Sequence, residues 1–185
     1  DMRTSLLLCV AWLCLGYGSL NSQTTFNRRF SLNFRASLLS NILVTDSCYY
    51  FTGVIADTLP PYRAGALFMK TDFNGLPLDV KTLRSPLRTY ETWYPDFYSL
   101  PNGGFAVSGY SYDSLSKAMF IRYDPSGDTL FTRSFTNLYA PPLDFIWPRA
   151  FKPCPDGGYV FACHIQGLPS GGYANADVWI VKTDS

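Results

Sequence analysis

The chain has 185 residues, of which 47% are hydrophobic and 16% are charged, so a disordered polymer is excluded. The formal net charge is +1 and the longest run of basic residues is Arg28-Arg29, which argues against a nucleic-acid partner. Aromatic residues make up 17% of the chain, and 14 glycines and 13 prolines accompany them. Because rings favour half-buried strands while Gly and Pro favour turns, this composition predicts an all-β protein.

Residues 1–22 have the pattern of a secretory signal peptide. Arg3 supplies a positive charge, an apolar run occupies residues 6–15, and small and polar residues follow. The run is too short to span a bilayer comfortably, and the alternative is a buried core helix. We therefore expect cleavage between residues 18 and 23, a secreted or cell-surface protein, and no contact with the membrane beyond this segment.

Three cysteines remain after the predicted signal: Cys48, Cys154 and Cys163. An odd number without regular spacing does not make a disulfide framework, and it does not match a zinc site. We expect these side chains to fill the core.

Residues 23–37 are predicted to contain a closing strand. The stretch from Phe26 to Phe34 begins with Phe-Asn-Arg-Arg-Phe, which resembles Phe131–Phe135, the predicted outer strand of the second repeat. Nothing similar to the other strands of a repeat precedes it. Pairing of such a strand with the last blade of a complete propeller would cover an exposed sheet edge.

Three related segments then follow, at intervals of about 55 residues. They are repeat 1 (38–92), repeat 2 (93–140) and repeat 3 (141–185). Each pairs an apolar stretch with a second apolar stretch that ends in a turn: Tyr50–Val54 with Ala66–Gly75, Pro101–Gly109 with Ala118–Gly127, and Pro155–Cys163 with Val178–Ser185.

Each repeat contains four short strand candidates. Asn102-Gly103 and Asp156-Gly157 predict hairpin turns, because these residues accept a positive φ. A repeated four-stranded antiparallel unit of about 50 residues predicts blades of a β-propeller, here about 2.5 to 3 of them. Since propellers usually hold about four to eight blades, we expect further blades in a longer chain. The alternative fold is a β-sandwich.

One motif in repeat 3 resembles a known family. Asp-Gly-Gly-Tyr at 156–159, followed by Asp-x-Trp-x-x-Lys-x-Asp at 177–184, resembles the repeats of bacterial secreted propeller-like proteins, many of which bear a C-terminal sorting domain for type IX secretion. Repeat 2 follows the pattern at Phe120, Arg122 and Asp124, and repeat 1 is more diverged. The resemblance covers residues 40–185 and implies an exported bacterial scaffold rather than a reaction.

Catalytic signals in the sequence are weak. His164 adjoins Cys163 in a predicted strand, and neighbouring residues of a strand point to opposite faces, so they do not form a nucleophile–base pair. Glu91, Asp96 and Asp144 are weak candidates for the paired carboxylates of a glycosidase. We expect a non-enzymatic protein with no catalytic, metal or cofactor site.

The Asp-x-Asn-Gly segment at Asp72 and the Asp-x-Ser-Gly segment at Asp124 resemble calcium loops. Calcium requires about six to eight oxygen ligands, and no bidentate glutamate follows either segment. We therefore interpret both as turns.

Aromatic residues before repeats 2 and 3 form the most promising ligand surface. Trp93 and Trp147 occupy matching positions, as do Phe97 and Phe151, so we expect the two tryptophans to fill the space between blades. The candidates for ligand contact are Tyr90, Tyr94 and Tyr139, since tyrosine rings with polar tips suit sugars or protein partners.

The sequence as a whole predicts an exported propeller-like repeat protein for binding or adhesion to a protein or a glycan. One alternative is part of a secreted glycoside-active enzyme, whose catalytic residues lie partly in other blades. The other alternative is a passive structural spacer.

Overall fold

A computed structural model describes residues 27–93, 96–136, 145–166 and 176–184. Every regular element in these ranges is a β-strand, which confirms the all-β prediction. The strands form three antiparallel sheets, each made from strands that are consecutive in the chain. None of the described segments is a helix long and apolar enough to cross a membrane.

Sheet 1 is an antiparallel meander with strand order β1-β2-β3-β4. Its two middle strands contain almost continuous apolar runs and are the most buried, whereas the outer strand β4 alternates between exposed and half-buried residues. This difference is typical of central and edge strands. The strands are β1 (Ala36–Val44), β2 (Tyr49–Ala56), β3 (Ala64–Thr71) and β4 (Pro77–Leu83).

Sheet 2 has a divided first strand. Two short strands, β5 and β6, pair with successive halves of β7, and β8 and β9 complete the sheet. The sheet begins at Thr89, ahead of the repeat boundary predicted at residue 93. Its strands are β5 (Thr89–Glu91), β6 (Phe97–Ser99), β7 (Phe105–Tyr112), β8 (Ser116–Tyr123) and β9 (Thr129–Phe135).

Sheet 3 contains three strands within the described residues: β10 (Phe145–Pro153), β11 (Tyr159–Gln166) and β12 (Ala176–Lys182). Residues 27–35, which cover most of the predicted closing strand, contain no strand. The partner expected for that strand is a blade other than these three sheets, so its closing role stays a prediction.

Sheet 2 lies between the other two sheets and is buried on both faces. Because side chains alternate along β8, Met119 and Ile121 face sheet 1, while Ala118 and Phe120 face sheet 3. The core between sheets 1 and 2 consists of Ala66, Phe68, Tyr90, Phe97, Phe105, Val107, Met119, Ile121 and Tyr123. The core between sheets 2 and 3 consists of Leu100, Ala106, Ala118, Phe120, Ile146, Phe151, Tyr159, Phe161, Cys163 and Ile165.

Aspartate side chains close the turns between the third and fourth strands of sheets 1 and 2. Oδ1 of Asp72 accepts hydrogen bonds from the backbone N–H groups of Asn74 (2.9 Å) and Leu76 (2.7 Å). Oδ1 of Asp124 accepts equivalent bonds from Ser126 (2.9 Å) and Asp128 (2.8 Å). The carboxylates therefore act within the turns, as the sequence predicts.

The first strand of each sheet is irregular at the same level. One extra residue, Ser40, bulges from β1, and one extra residue, Arg149, bulges from β10. In sheet 2, residues 92–96 separate β5 from β6 at the corresponding place. We call these three places the bulge level.

The neighbouring second strands leave no room for a side chain at the bulge level of sheets 1 and 2. A Cβ atom at Gly53 would lie 1.9 Å from the carbonyl oxygen of Leu38, and a Cβ atom at Gly109 would lie 2.2 Å from that of Glu91. Both contacts are with backbone, which is unable to move away without disturbing the strand. Glycine at these two positions is therefore required by the close approach of the first strand.

Replacement of Gly109 by alanine is expected to lower the free energy of unfolding by about 2–3 kcal/mol, because the new methyl group overlaps the Glu91 carbonyl. Gly103→Ala is the control. Gly103 has φ +82°, but a Cβ there meets only Pro125 at 3.5 Å, so only backbone strain of about 1–2 kcal/mol is expected. Urea unfolding followed by circular dichroism measures both values. Equal losses in the two variants would contradict the close approach.

Candidate functional site

The largest departure from the repeat lies at the bulge level of sheet 2. Sheets 1 and 3 have one extra residue here, whereas in sheet 2 the first strand is divided, with β5 ending at Glu91 and β6 beginning at Phe97. Irregularities of this kind re-aim side chains and are frequent beside functional sites. The polar and aromatic side chains around this break are therefore the candidate site.

An exposed tryptophan is held by a carboxylate at this break. Glu91 ends β5 and lies opposite Tyr110 of β7, whose hydroxyl donates to Glu91 Oε2 at 2.6 Å. The indole N–H of Trp93 donates to the same oxygen. Nevertheless 46% of Trp93 remains exposed. We call Glu91, Trp93 and Tyr110 the Trp93 platform.

A buried polar network holds sheet 2 to sheet 1 just beside the Trp93 platform. Thr92 is fully buried, and its Oγ1 donates to the carbonyl oxygen of Gly53 at 2.7 Å. Ser40, the bulged residue of β1, donates through Oγ to the carbonyl oxygen of Thr92. Nδ2 of Asn41 donates to Thr52 Oγ1 at 3.0 Å. Since these bonds flank the break on one side, they restrict the position of residue 93.

Asp96 is a buried carboxylate on the other side of the break. Its Oδ1 accepts a hydrogen bond from the hydroxyl of Tyr98 at 3.0 Å, while its buried Oδ2 has no hydrogen-bond partner among the described residues. Lys152 of sheet 3 lies with Nζ 4.8 Å from the centre of the Tyr98 ring. Burial raises the pKa of Tyr98, and the contact with Tyr98 raises the pKa of Lys152.

The tyrosines and carboxylates that the sequence singles out as site candidates lie in different environments in the structure. Tyr90 is buried in the core between sheets 1 and 2, so it packs against protein rather than against a ligand, contrary to our expectation. Glu91 and Asp96 lie on either side of the break and bind different tyrosines. Tyr94, Tyr139 and Asp144 lie outside the described residues.

The predicted match between Trp93 and Trp147 is wrong. Trp147 pairs with His164 of β11, and the residue of β7 that corresponds to His164 is Tyr110, which pairs with Glu91. Trp147 therefore corresponds to Glu91. The break in sheet 2 inserts residues, so Trp93 has no counterpart and does not fill the space between sheets as we expected.

Sequence reasoning thus assigned Trp93 to the core and missed Tyr110. Both errors arise because an alignment of repeats 2 and 3 without gaps looked correct. In the sequence, Trp93 precedes Phe97 by the same number of residues as Trp147 precedes Phe151. The pairing of β5 with β7 reveals the insertion.

Cys163 and His164 lie on opposite faces of β11, as their alternation predicts. Cys163 is buried in the core between sheets 2 and 3, where burial raises the pKa of its thiol to about 12. His164 is half-buried, with its ring 5.6 Å from that of Trp147. A protonated thiol that faces away from the imidazole is unsuited to nucleophilic catalysis.

The described residues contain no group of three or more His, Cys, Asp or Glu side chains arranged to hold a metal ion. The site consists instead of an exposed aromatic ring, a carboxylate and hydroxyl groups.

A scan against family profiles and a search of curated proteins found no match to this chain.

Ionisation of Cys163 is expected to destabilise the fold at high pH. The pKa of the thiol rises from 9.0 to about 12 on folding, so its contribution to stability is fully present below pH 9 and is lost as the pH rises toward 12. Tyrosines also ionise in this range. We therefore compare the wild type with Cys163→Val by urea unfolding at several pH values. The wild type should lose more stability than the variant above pH 9, and parallel curves would contradict the burial effect.

Proposed function

We propose that this chain is an exported, non-enzymatic repeat protein of the β-propeller type, and that it binds a glycan through the Trp93 platform. The observation that carries this proposal is the exposed indole of Trp93, which is oriented by Glu91 while Glu91 is itself bound by Tyr110. A binding ring held in place before the ligand arrives loses little conformational freedom on binding.

The propeller-type arrangement is supported by the repetition of one packing mode. Sheet 2 packs on sheet 1, and sheet 3 packs on sheet 2, through equivalent faces with aromatic contacts. In both cases the first strand of the later sheet contacts the middle strands of the earlier sheet. This stepwise stacking is what radially arranged blades require. A sandwich formed from two sheets does not need a third sheet stacked in the same sense.

A glycan suits the Trp93 platform better than a flat protein surface does. Indole rings stack on the apolar faces of sugars, while a neighbouring carboxylate accepts hydrogen bonds from sugar hydroxyl groups. Oε2 of Glu91 binds Trp93 and Tyr110, while Oε1 has no hydrogen bond to the other residues that the structure describes and suits a ligand hydroxyl.

The glycosidase alternative uses the same carboxylates differently. It requires Glu91 or Asp96 to act as acid, base or nucleophile, with two carboxyl groups about 5–10 Å apart. The hydrogen bonds that Glu91 Oε2 accepts from Trp93 and Tyr110 favour an orienting role for this carboxylate. The passive-spacer alternative gives the exposed ring no role.

Glycan binding is tested on the chain from residue 23 onward with a glycan array and then by calorimetry on the best ligand. We expect Trp93→Ala to weaken binding about five- to thirtyfold, because stacking on an aromatic ring contributes on the order of 1–2 kcal/mol. Tyr112→Ala is the matched control, since Tyr112 is a comparably exposed ring on the same sheet but outside the Trp93 platform.

Several results would contradict the proposal. Wild-type protein that binds no glycan would favour the spacer, and binding that survives Trp93→Ala unchanged would place the site elsewhere. A protein that binds only other proteins in a pull-down would replace the glycan with a protein ligand. Hydrolysis of a model glycan that is lost in Glu91→Gln or Asp96→Asn would favour the enzyme.

Export is tested separately with the full chain expressed in a bacterial host. We expect the protein outside the cytoplasm, with a new N-terminus between residues 18 and 23 when the product is measured by mass spectrometry. Leu8→Arg interrupts the apolar run and should retain the uncleaved protein inside the cell. Thr4→Arg, which adds the same charge ahead of that run, is the control and should still be exported. An uncleaved wild-type chain in the cytoplasm would contradict the signal peptide.

A further inference from the structure

The segment that leads into β1 is tied to sheet 1 at two places. Near its start, Nε of Arg28 donates to the carbonyl oxygen of Asn74, in the turn between β3 and β4, at 2.7 Å. Near its end, the guanidinium of Arg84, which follows β4, lies 5.8 Å from the ring centre of Phe34. Residues 29–33 form no strand, but these two contacts restrict where they lie.

This segment and the first residues of β1 line an open cavity of about 440 Å³. The cavity wall carries two guanidinium groups, from Arg29 and Arg35, and the hydroxyl groups of Ser31 and Ser37. None of the described aspartates or glutamates lines it. Cavities that bind small organic ligands have volumes of about 300–1,000 Å³, so this cavity has room for a sugar ring together with a charged group that the ring carries.

The two arginines of the cavity wall have no carboxylate to neutralise them within the described part of the chain. Neither Arg29 nor Arg35 forms an ion pair there. Asp57, on the loop between β2 and β3, is paired with Arg84 at 2.8 Å. Asp72 accepts hydrogen bonds within its own turn. Since two like charges on one cavity wall repel each other, an anion that binds between them relieves this repulsion.

Arg35 is oriented by an aromatic ring. Its guanidinium lies 4.4 Å from the ring centre of Tyr62, on the loop between β2 and β3. A guanidinium that stacks through its face keeps the N–H groups of its edge, and these groups bind sulfate or carboxylate oxygens in pairs. The next residue of the loop, Arg63, has a buried Nε without a hydrogen-bond partner among the described residues. Guanidinium donors thus remain unused near the start of β1.

We propose that this cavity binds the sulfate or carboxylate group of an acidic glycan, with Arg29 and Arg35 on the charged group and Ser31 and Ser37 on neighbouring hydroxyl groups. A nucleic acid is less suited, because it presents a row of phosphates while the chain has a net charge of only +1 and no basic stripe. The cavity wall contains no residue of the Trp93 platform, so this second site goes beyond the function proposed above.

The anion site is tested by calorimetry on the chain from residue 23 onward, with dextran sulfate, polygalacturonate and neutral dextran as probes. We expect dextran sulfate or polygalacturonate to bind, and the one that binds more tightly identifies the preferred charged group. Neutral dextran should not bind to this site. The affinity for the charged polymer should fall as the salt concentration rises, because salt screens the charges of exposed guanidinium groups.

Arg29→Gln and Arg35→Gln should each weaken binding of the charged polymer about tenfold, because each removes a charge-assisted hydrogen bond. Arg133→Gln is the matched control: it removes the same charge from β9, outside the cavity, where Arg133 lies 5.5 Å from the ring centre of Phe131. Arg29 forms no hydrogen bond with the other described residues, so its replacement should leave the circular dichroism spectrum unchanged.

Three results would overturn the anion site. The first is that neither charged polymer binds to the wild type. The second is equal weakening in Arg133→Gln and in the two cavity variants, which would show that only the net charge matters. The third is loss of charged-polymer binding in Trp93→Ala, which would assign that binding to the Trp93 platform. Charged-polymer binding that survives Trp93→Ala, with no neutral glycan bound by the wild type, would support this site while the function proposed for the Trp93 platform fails.

Discussion

The fold depends on aromatic packing between stacked sheets. Phe120 shows this most clearly, because it is fully buried and contacts rings of its own sheet, such as Phe135, and of sheet 3, such as Phe151 and Tyr159. A single sheet of this kind would leave its middle strands exposed to water on both faces. Each sheet is therefore stabilised chiefly by its neighbours, as expected for a repeat architecture in which one unit is unable to bury its own apolar surface.

This packing also explains where the chain can vary. The middle strands of sheet 2 are restricted by neighbours on both faces, but the first strands of sheets 1 and 3 tolerate an extra residue at the bulge level. In sheets 1 and 2, glycine in the adjoining strand gives the backbone room to approach. In sheet 2 the tolerance is greater, because β5 ends at Glu91 and β6 begins only at Phe97. Polar side chains that differ between the repeats collect at this level: Ser40, Asn41, Thr92, Asp96 and Arg149.

The Trp93 platform combines a rigid support with an open ring. Thr92 is anchored to sheet 1 through the carbonyl oxygen of Gly53, and Glu91 is anchored to β7 through Tyr110. Trp93 follows these two anchored residues directly in the chain, and its indole donates to Glu91 while 46% of the residue stays exposed to solvent. A scaffold that gains its stability from stacked sheets can thus hold an exposed aromatic ring without using that ring for folding.

The sequence by itself determined the strand class, the main turns and the burial of the middle strands, because two-residue periodicity and turn chemistry are local properties. Asp72 and Asp124 therefore act in turns as predicted. Only the tertiary structure decided that Tyr90 is buried, that Trp93 is exposed and that Trp147 corresponds to Glu91. These outcomes depend on strand register and on which sheet covers a face, and an insertion at the bulge level changes both without altering the local pattern on either side.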